Sequence, residues 1–451
     1  MQQAAAVAPP GPSSLVPGRV AWTFGKDPLA FLAAAASRYG DVSRFKLGDV
    51  EVFFVCRAEY VWDVLVTQRA RFEISTMRRR LEVALGTGLL TSRGELHARQ
   101  RKLMLPVFRK SRIEAYAGIM LEFAERMRDR WRPGETIDVT AEMMRLAIQV
   151  VARTLFSHDI KDDSDVVSRN VSIMMSYYTR LMSPLLQLLL KLPLPSTRRF
   201  WKASRDLDAV IYRIIEHRRR NPSSSEDLLA LLMQAKDDET NVFMTEKQLR
   251  DELLTLLVAG HETTANALGW TIYLLAQNPE ADARLHAEIS AALAGRPRLE
   301  AADLERLHYT RQVLLEGMRL YPPAWFTGRT ALEDVPVGGF RIPKGATVLV
   351  SQFVMHRDAR YFEAPERFRP ERWSAEFQEK LPRGSYFPFG GGDRHCVGEN
   401  FAWQELLLIL GSLVQRCRFE LLPGQDIRPS PSITLRPSAP IRAIVRPRHA
   451  G

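Results

Sequence analysis

One cysteine lies in an unusual setting near the carboxyl end of the chain, in the stretch FPFGGGDRHCVGEN at residues 387–400. Three glycines precede Arg394 and Cys396, and the segment that follows has the apolar spacing of a helix. Glycine lets the backbone turn sharply or approach another group closely. The helix dipole and the charge of Arg394 favour a thiolate at Cys396. Such a thiolate is suited to act either as a nucleophile or as a metal ligand.

A second group of residues that could take part in chemistry is the stretch AGHETT at residues 259–264. It lies in the middle of a predicted helix that begins after a capping box at Thr245 and Gln248 and ends before Pro279. At about 32 residues this helix is roughly 48 Å long and crosses a whole domain. Either Gly260 allows close helix packing, or the stretch forms a groove where a ligand meets an acid and hydroxyl groups.

Several chemistries are excluded by missing residues. The run HETTA begins like a zinc-protease motif, but Ala265 stands where the second histidine ligand is required. Residues 390–392 are not a phosphate-binding loop, because no Lys-Ser or Lys-Thr pair follows them. As a nucleophile Cys396 needs a base, and the adjacent His395 seldom has useful geometry. The residues alone count against a nucleophile and leave the metal-ligand role of Cys396 open.

The cysteine stretch resembles the haem-binding loop of the cytochromes P-450, whose pattern is F-x-x-G-x-R-x-C-x-G. The fixed positions of that pattern are filled here by Phe389, Gly392, Arg394, Cys396 and Gly398. Further family motifs follow the expected order: AGHETT at 259–264, ExxR at 316–319 and FRPERW at 368–373. A lone ExxR carries little information, because acid–base pairs are common on helices. The resemblance covers residues from about 20 to 447.

The resemblance implies a haem b cofactor whose iron takes the Cys396 thiolate as axial ligand. Phe389 is expected beside the sulfur. The resemblance also implies a buried network of Glu316, Arg319 and an arginine of the Pro-rich segment, for which the motif favours Arg372 over Arg367.

Other residues carry expected roles around the haem. The resemblance implies that His97, Arg101, Arg329 and Arg394 bind the propionates, with His97 where many members have tryptophan. On the distal side Gly260 leaves room for dioxygen. Glu262 and Thr263 match the acid–alcohol pair that delivers protons in this family, and they are the expected catalytic residues.

The composition of the 451-residue chain is globular, with 46% hydrophobic residues. Three scattered cysteines argue against a disulfide framework, and no run is long enough to span a membrane. We therefore expect a cytoplasmic protein without a transmembrane anchor. Residues 1–20 are interpreted as a flexible Pro-rich leader and 21–451 as one catalytic domain. Helical patterns dominate 58–320 and short strands flank them, which predicts a mainly α fold with small β-sheets (α+β).

The net charge of +11 is unevenly distributed, because residues 71–112 hold eleven Lys and Arg against three Glu, a net +8. A basic surface attracts nucleic acid, anionic lipid or an acidic protein. No nucleic-acid-binding motif accompanies it, so we expect no nucleic-acid partner. The chain has no flavin or iron–sulfur module. We therefore expect electrons to come from a separate, acidic ferredoxin-type donor and its reductase.

The predicted function is a haem-thiolate monooxygenase that inserts one atom of O2 into a hydrophobic substrate. Fatty acid, terpenoid or carotenoid, and polyketide substrates all remain open. The predicted pocket walls are the distal helix and residues 72–92, 173–192, 322–326 and 432–435. The alternatives are a peroxide-dependent peroxygenase or isomerase on the same fold, and a haem-binding sensor without catalysis.

Overall fold

The structure, a computed structural model, describes residues 8–157, 164–177, 192–221, 227–234 and 243–448. The helices in these ranges are α1 (Arg19–Lys26), α2 (Pro28–Tyr39), α3 (Ala58–Trp62), α4 (Thr76–Arg79), α5 (Glu82–Leu85), α6 (Gly94–Met104), α7 (Lys110–Ala115), α8 (Ala117–Arg128), α9 (Val139–Leu155), α10 (Ser164–Ser176), α11 (Pro195–Arg220), α12 (Leu228–Gln234), α13 (Glu246–Gln277), α14 (Pro279–Leu293), α15 (His308–Leu320), α16 (Gln352–Met355), α17 (Ala375–Lys380) and α18 (Glu399–Arg416).

The strands are short and lie mostly near the two ends of the chain. They are β1 (Val42–Leu47), β2 (Val50–Val55), β3 (Phe72–Ile74), β4 (Thr136–Asp138), β5 (Thr327–Ala331), β6 (Val335–Val337), β7 (Phe340–Ile342), β8 (Thr347–Val350), β9 (Cys417–Leu421), β10 (Pro429–Pro431), β11 (Leu435–Pro437) and β12 (Arg442–Pro447). The predicted mainly α architecture with small sheets is thus confirmed.

The largest sheet joins distant parts of the sequence in the order β1-β2-β8-β5-β3. Strands β2 and β8 pair in parallel, with Val52 opposite Thr347, and the other pairs of the described sheet are antiparallel. The three smaller sheets are β4-β12-β9, β10-β11 and β6-β7. The first sheet encloses one apolar core, and the helices share a second and larger one.

Helix α13 is the central element of the helical core. It begins after Thr245, whose side chain forms the predicted capping box with Gln248, and it ends before Asn278. It packs mainly against α9 and also against α15 and α18. A helix that is buried nearly all round must hydrogen-bond its interior polar groups. The contacts of its polar side chains therefore reveal much about the site.

The amino-terminal segment packs on the first sheet within the range predicted to be a leader. On the edge strand β1, the outward-facing N–H of Arg44 donates to the carbonyl of Pro10 over 2.9 Å. Pro9 is buried, and a Cβ added at Gly11 would lie 1.8 Å from the Arg44 carbonyl oxygen. Position 20 falls inside α1 rather than between a leader and a domain.

No helix within the described ranges combines the length and apolarity needed to cross a bilayer. All three cysteines are free thiols.

Candidate active site

A cavity of about 270 Å³ separates the middle of α13 from the cysteine loop, residues 387–398. Most of its wall is apolar. The α9 and α13 side contributes Val151, Leu155, Leu256, Ala259, Gly260, Thr263, Thr264 and Ala267, and the opposite side includes Phe389, Cys396, Phe401 and Leu406. A larger surface cleft of about 890 Å³ lies beside α7 and α18, but it contains neither Cys396 nor any residue of α13.

The cysteine loop folds tightly because glycine occupies its left-handed positions. Gly390 and Gly392 have φ of 76° and 65°. A Cβ added at Gly392 would lie 1.9 Å from the carbonyl oxygen of Leu65, so only glycine fits there. The Cys396 N–H donates to the Phe389 carbonyl over 3.0 Å and closes the loop. The loop therefore presents the sulfur to the cavity at the start of α18.

The sulfur of Cys396 is accessible from the cavity although protein surrounds it. Burial raises the pKa of the thiol to about 11, and the Gly398 N–H and the charge of Arg101 act in the opposite direction without compensating. The expectation that helix dipole and arginine charge favour a thiolate therefore does not hold for the free thiol, because burial outweighs them. Coordination to a metal deprotonates a thiol, so iron would hold the thiolate form.

Two arginines, the buried Arg329 and the half-buried Arg394, form one end of the cavity. Among the described residues Arg329 hydrogen-bonds to Thr327 Oγ1 and to the carbonyls of Gly328 and Gly391, and burial lowers its pKa to about 9. Arg394 donates to the carbonyls of Leu89 and Ser92, and burial lowers its pKa to about 10. Neither forms an ion pair within the described part of the chain. Cations at a partly or fully buried position without carboxylate partners suit the two propionates of a haem.

His97 and Arg101, the two residues of α6 that were predicted to bind the propionates, lie next to this end of the cavity but do not line it. Arg101 donates to the carbonyl of His395 over 2.7 Å. His97 is buried, and its pKa is lowered to about 4 by burial and then by Arg394 and Arg101. At neutral pH it is an uncharged imidazole. Arg78 on α4 does line the cavity beside Arg329, and the sequence did not single it out.

On the wall opposite the cysteine loop, Gly260 and Thr263 line the cavity. A Cβ added at Gly260 would lie 3.0 Å from Val151 Cγ2, so glycine also permits close packing of α9. Both interpretations of this glycine therefore have a basis. The Thr263 hydroxyl donates to the Ala259 carbonyl over 2.6 Å.

Glu262 does not line the cavity; it is buried and held from the other side of α13. Its Oε1 accepts from Thr434 Oγ1 over 2.6 Å and from the Nε of Arg436. Asn266 donates to the same threonine oxygen over 3.1 Å. The acid of the predicted pair is thus an ion-paired carboxylate attached to the β10–β11 hairpin. Sequence reasoning missed Arg436, which lies 174 positions away from its partner.

Glu316 and Arg319 form a fully buried bidentate pair, with N···O distances of 2.8 and 2.9 Å. The Nε of Arg372 donates to Glu316 over 3.0 Å, whereas Arg367 contributes its backbone carbonyl rather than its side chain. Trp373 Nε1 donates to the second carboxylate oxygen over 2.9 Å. This network ties α15 to the Pro-rich segment that leads into the cysteine loop.

The predicted pocket walls are distributed differently from expectation. Residues 72–92 and 322–326 contribute, through Arg78, Leu90, Pro323, Ala324 and Phe326. Residues 432–435 do not line the cavity; they bond to α13, and Leu435 N–H donates to the Pro323 carbonyl. Of the stretch 173–192, residues 178–191 lie outside the described residues, and the described ones do not line the cavity.

Comparison with known proteins decides the family. The family model described as Cytochrome P-450 matches residues 9–445. The chain belongs to the cytochrome P-450 family. The resemblance drawn from the cysteine loop is therefore confirmed, and this protein is a haem enzyme of the monooxygenase type, in a family whose fold binds haem through an axial cysteine thiolate.

Curated relatives cover almost the whole length of this cytochrome P-450. It is 39% identical to cyclooctatin synthase of Streptomyces melanosporofaciens, over 94% of this chain and 92% of the relative. It is 36% identical to cyclooctat-9-en-7-ol 5-monooxygenase of the same organism, over 89% and 87%. It is 30% identical to pentalenene oxygenase of Streptomyces avermitilis, over 91% and 90%.

Solved structures agree on the fold. The haem domain of cytochrome P-450DA superposes with a TM-score of 0.86 at 24% identity and covers 98% of both chains. A second cytochrome P-450 crystal structure superposes with a TM-score of 0.85 at 26% identity, over 98% of this chain and 99% of the other. The predicted cytochrome P-450 fold is confirmed.

Proposed function

We propose that this cytochrome P-450 hydroxylates a cyclic terpene hydrocarbon or terpene alcohol with one atom of O2. The observation that carries the proposal is the pair of relatives at 39% and 36% identity, one of them named for oxidation of cyclooctat-9-en-7-ol. The name of pentalenene oxygenase supports the same substrate class. The mostly apolar wall between α13 and the cysteine loop suits a hydrocarbon skeleton, which gains affinity by losing contact with water.

Cys396 is the proposed axial ligand, because its sulfur alone among the three cysteines faces the cavity. Arg329 and Arg394 would bind the propionates, with Arg101, His97 and Arg78 behind or beside them. Phe389 and Gly398 would lie against the porphyrin near the sulfur. When bound, the haem supplies the activation of dioxygen, which thiolate ligation favours by donating electron density.

Thr263 is the proposed proton-handling hydroxyl, because it lines the cavity opposite Cys396. Its hydrogen bond to the Ala259 carbonyl fixes the side chain, and the hydroxyl oxygen can then accept a hydrogen bond from a group in the cavity. Glu262 is the proposed acid that supports proton delivery from the side of α13 facing away from the cavity, where Thr434 and Arg436 bind its carboxylate. The Arg436 side chain is 21% exposed, so this pair connects the buried acid to solvent.

The proposed electron donor is an acidic ferredoxin-type protein that binds near α6. Arg101 contacts the cysteine loop, while the neighbouring Arg99 and Lys102 are exposed. A cytoplasmic location is part of the proposal, since free thiols suit a reducing compartment.

Spectral titration of the haem-loaded enzyme tests the substrate class. The panel contains cyclic terpene hydrocarbons, the corresponding monoalcohols, fatty acids and a polyketide lactone. Each compound is then incubated with the enzyme, ferredoxin, ferredoxin reductase and NADPH, and the products are analysed. We expect a cyclic terpene to shift the haem spin state and to yield a product heavier by one oxygen atom. Conversion of the fatty acid or lactone alone would contradict the proposal. Turnover driven only by peroxide would instead favour the peroxygenase alternative.

A further inference from the structure

Residues 86–92, here called the strap, cross α13 at the edge of the cavity. The strap packs so closely that a Cβ added at Gly86 would lie 2.1 Å from Asp251 Oδ1, and one at Gly88 would lie 2.3 Å from Thr255 Oγ1. Gly86 also has φ of 70°. Leu90 of the strap lines the cavity. The position of this wall residue therefore depends on what holds the strap to α13.

Side chains of α13 and α6 bind the strap through its backbone. Asp251 accepts from the Thr87 N–H over 3.0 Å, and Glu252 Oε2 accepts from the Leu89 N–H over 2.9 Å. Gln100 on α6 donates through Nε2 to the Thr87 carbonyl over 2.8 Å. That bond fixes the orientation of the amide, because an oxygen facing the Thr87 carbonyl would be repelled.

Glu252 Oε1 and Gln100 Oε1, like Thr255 Oγ1 beside Gly88, are buried and lack a hydrogen-bond partner within the described residues when Glu252 is drawn as a carboxylate. The Gln100 side chain is close enough to act on the Glu252 carboxyl, and Glu252 is 0% exposed. A proton on Glu252 Oε1 would supply the hydrogen-bond donor that Gln100 Oε1 lacks and would give Glu252 Oε1 a partner of its own. An unsatisfied buried acceptor is costly, so the protonated arrangement is favoured.

We propose that Glu252 is a neutral acid that donates to Gln100 Oε1 and, with Gln100 and the strap backbone, closes a hydrogen-bonded ring that clamps the strap over the cavity. The ring runs from the Leu89 N–H through Glu252 and Gln100 to the Thr87 carbonyl. Glu252 and Gln100 are thus positioning residues for Leu90, and they make the strap a fixed part of the wall rather than a lid.

The electrostatic surroundings agree with a neutral acid. Burial raises the pKa of Glu252 to about 8, the charge of Asp251 adds to the effect, and the Leu89 N–H and Gln100 oppose it. Asp251 is the charged neighbour on the same helix, and Lys247 and Arg250 already pair with it. From α6 the facing group is the neutral Gln100, and the strap contributes backbone.

The clamp reaches the cofactor end of the cavity as well. Arg394 donates to the Ser92 carbonyl over 2.7 Å and to the Leu89 carbonyl over 3.5 Å. The strap therefore lies between α13 and the cysteine loop, bonded to both. Release of Glu252 would remove the hydrogen bond to the Leu89 N–H, the anchor next to Leu90 on the α13 side.

Hydrogen–deuterium exchange of the haem-loaded enzyme tests the clamp without using any substrate. After correction for intrinsic exchange, we expect residues 86–92 of the wild type to exchange about tenfold faster at pH 9.5 than at pH 7, because loss of the hydrogen bond from the neutral Glu252 acid, which leaves a buried acceptor unsatisfied, is worth about that factor. Glu252→Gln keeps the ring, since its amide donates where the acid did, and the strap should stay protected at both values of pH. Glu252→Leu should lose the protection at every pH.

Infrared spectroscopy gives a second readout. The infrared band of protonated carboxyl groups in the wild type at pH 7 should lose intensity in Glu252→Gln. Glu405→Gln identifies the contribution of another buried acid to this band. Glu246→Gln, at an exposed position on α13, is the matched control and should leave the band unchanged. The proposal is overturned if Glu252→Gln opens the strap at pH 7 as Glu252→Leu does, or leaves the acid band unchanged. Since neither measurement needs a terpene, failure here is separate from failure of the proposed substrate class.

Discussion

Cys396 differs from the other two cysteines in its surroundings, because Cys56 and Cys417 are buried among core side chains and Cys396 faces the cavity. We expect Cys396→Ser to keep the fold but to lose the red-shifted Soret band of the reduced carbon monoxide complex entirely. Cys56→Ser and Cys417→Ser serve as controls and should retain the band. Loss of the band in a control, with its retention in Cys396→Ser, would refute the assignment.

Thr263 allows a comparison with a matched residue of the same helix. Its hydroxyl lines the cavity and donates to the carbonyl four residues earlier, and Thr271 makes the same backbone bond over 2.7 Å without lining the cavity. Alanine favours the helix, so Thr263→Ala should fold and bind haem normally. We expect product per NADPH to fall several-fold and hydrogen peroxide to rise, while Thr271→Ala stays coupled. Equal coupling in both variants would leave Thr263 as a helix residue only.

Glu405 on α18 is a buried acid whose carboxyl oxygens lack hydrogen bonds of ordinary geometry in the described ranges. Burial raises its pKa from 4.5 to about 8, and the Thr264 side chain opposes the shift. The folded state therefore loses stability relative to the unfolded state as pH rises from about 4.5 to 8, by on the order of 3–5 kcal/mol.

Replacement of Glu405 by Gln removes this pH-dependent cost. The thermal midpoint of Glu405→Gln minus that of the wild type should increase between pH 5 and pH 8 and then level off. Glu376→Gln, at an exposed position on α17, should give a difference that does not depend on pH in this way. A difference for Glu405→Gln that is constant from pH 5 to pH 8 would mean that Glu405 titrates normally.

At the scale of elements, the β10–β11 hairpin acts as a link between walls of the cavity. Besides the contacts to Glu262, the hairpin accepts two indole hydrogen bonds. Trp270 Nε1 donates to the Leu435 carbonyl over 3.0 Å, and Trp325 Nε1 donates to the Ser432 carbonyl over 2.8 Å. The hairpin thus connects α13 to the segment that carries the cavity residues Pro323 and Phe326. Its contribution is to position these elements, although its own residues 432–435 stay outside the cavity.

Removal of one partner of the Glu262–Arg436 pair tests this link. Arg436→Gln leaves a buried carboxylate without its cation and should destabilise the protein by about 3 kcal/mol or somewhat less, because Arg436 is partly exposed. The double variant Glu262→Gln with Arg436→Gln should recover most of the loss. Arg428→Gln, which removes an exposed ion pair at the start of the same hairpin, should change the free energy of unfolding by under about 1 kcal/mol. No recovery in the double variant would show that the pair is not coupled.

At the scale of the whole molecule, the uneven charge has a structural counterpart. The exposed cations Lys102 and Arg109 follow the part of α6 that contacts the cysteine loop. Screening shortens the range of charges to about 10 Å at 0.1 M salt, so reduction by an acidic ferredoxin should slow as ionic strength rises. Charge reversal at Lys102 or Arg109 should slow reduction at low salt several-fold, whereas the exposed Arg198→Glu should not. A rate independent of salt and of these substitutions would exclude this docking surface.

Features carried by contiguous residues were accessible from the sequence. The cysteine loop is one such feature, since its glycines, Arg394 and Cys396 lie within ten positions and the turn they form is local. The bounds of α13 are another, because a capping box begins it and an Asn-Pro pair ends it. Together these local patterns determined the family, the haem chemistry and the mainly α fold.

The directions of side chains on those elements were decided only by the tertiary structure. Glu262 and Thr263 are adjacent in sequence, yet one faces the hairpin and the other the cavity, because successive helix positions point about 100° apart and packing chooses which faces inward. The partners of Glu262 and Glu252 lie more than 150 positions away along the chain. Their pairing depends on which elements the core brings into contact, and no local pattern encodes that choice.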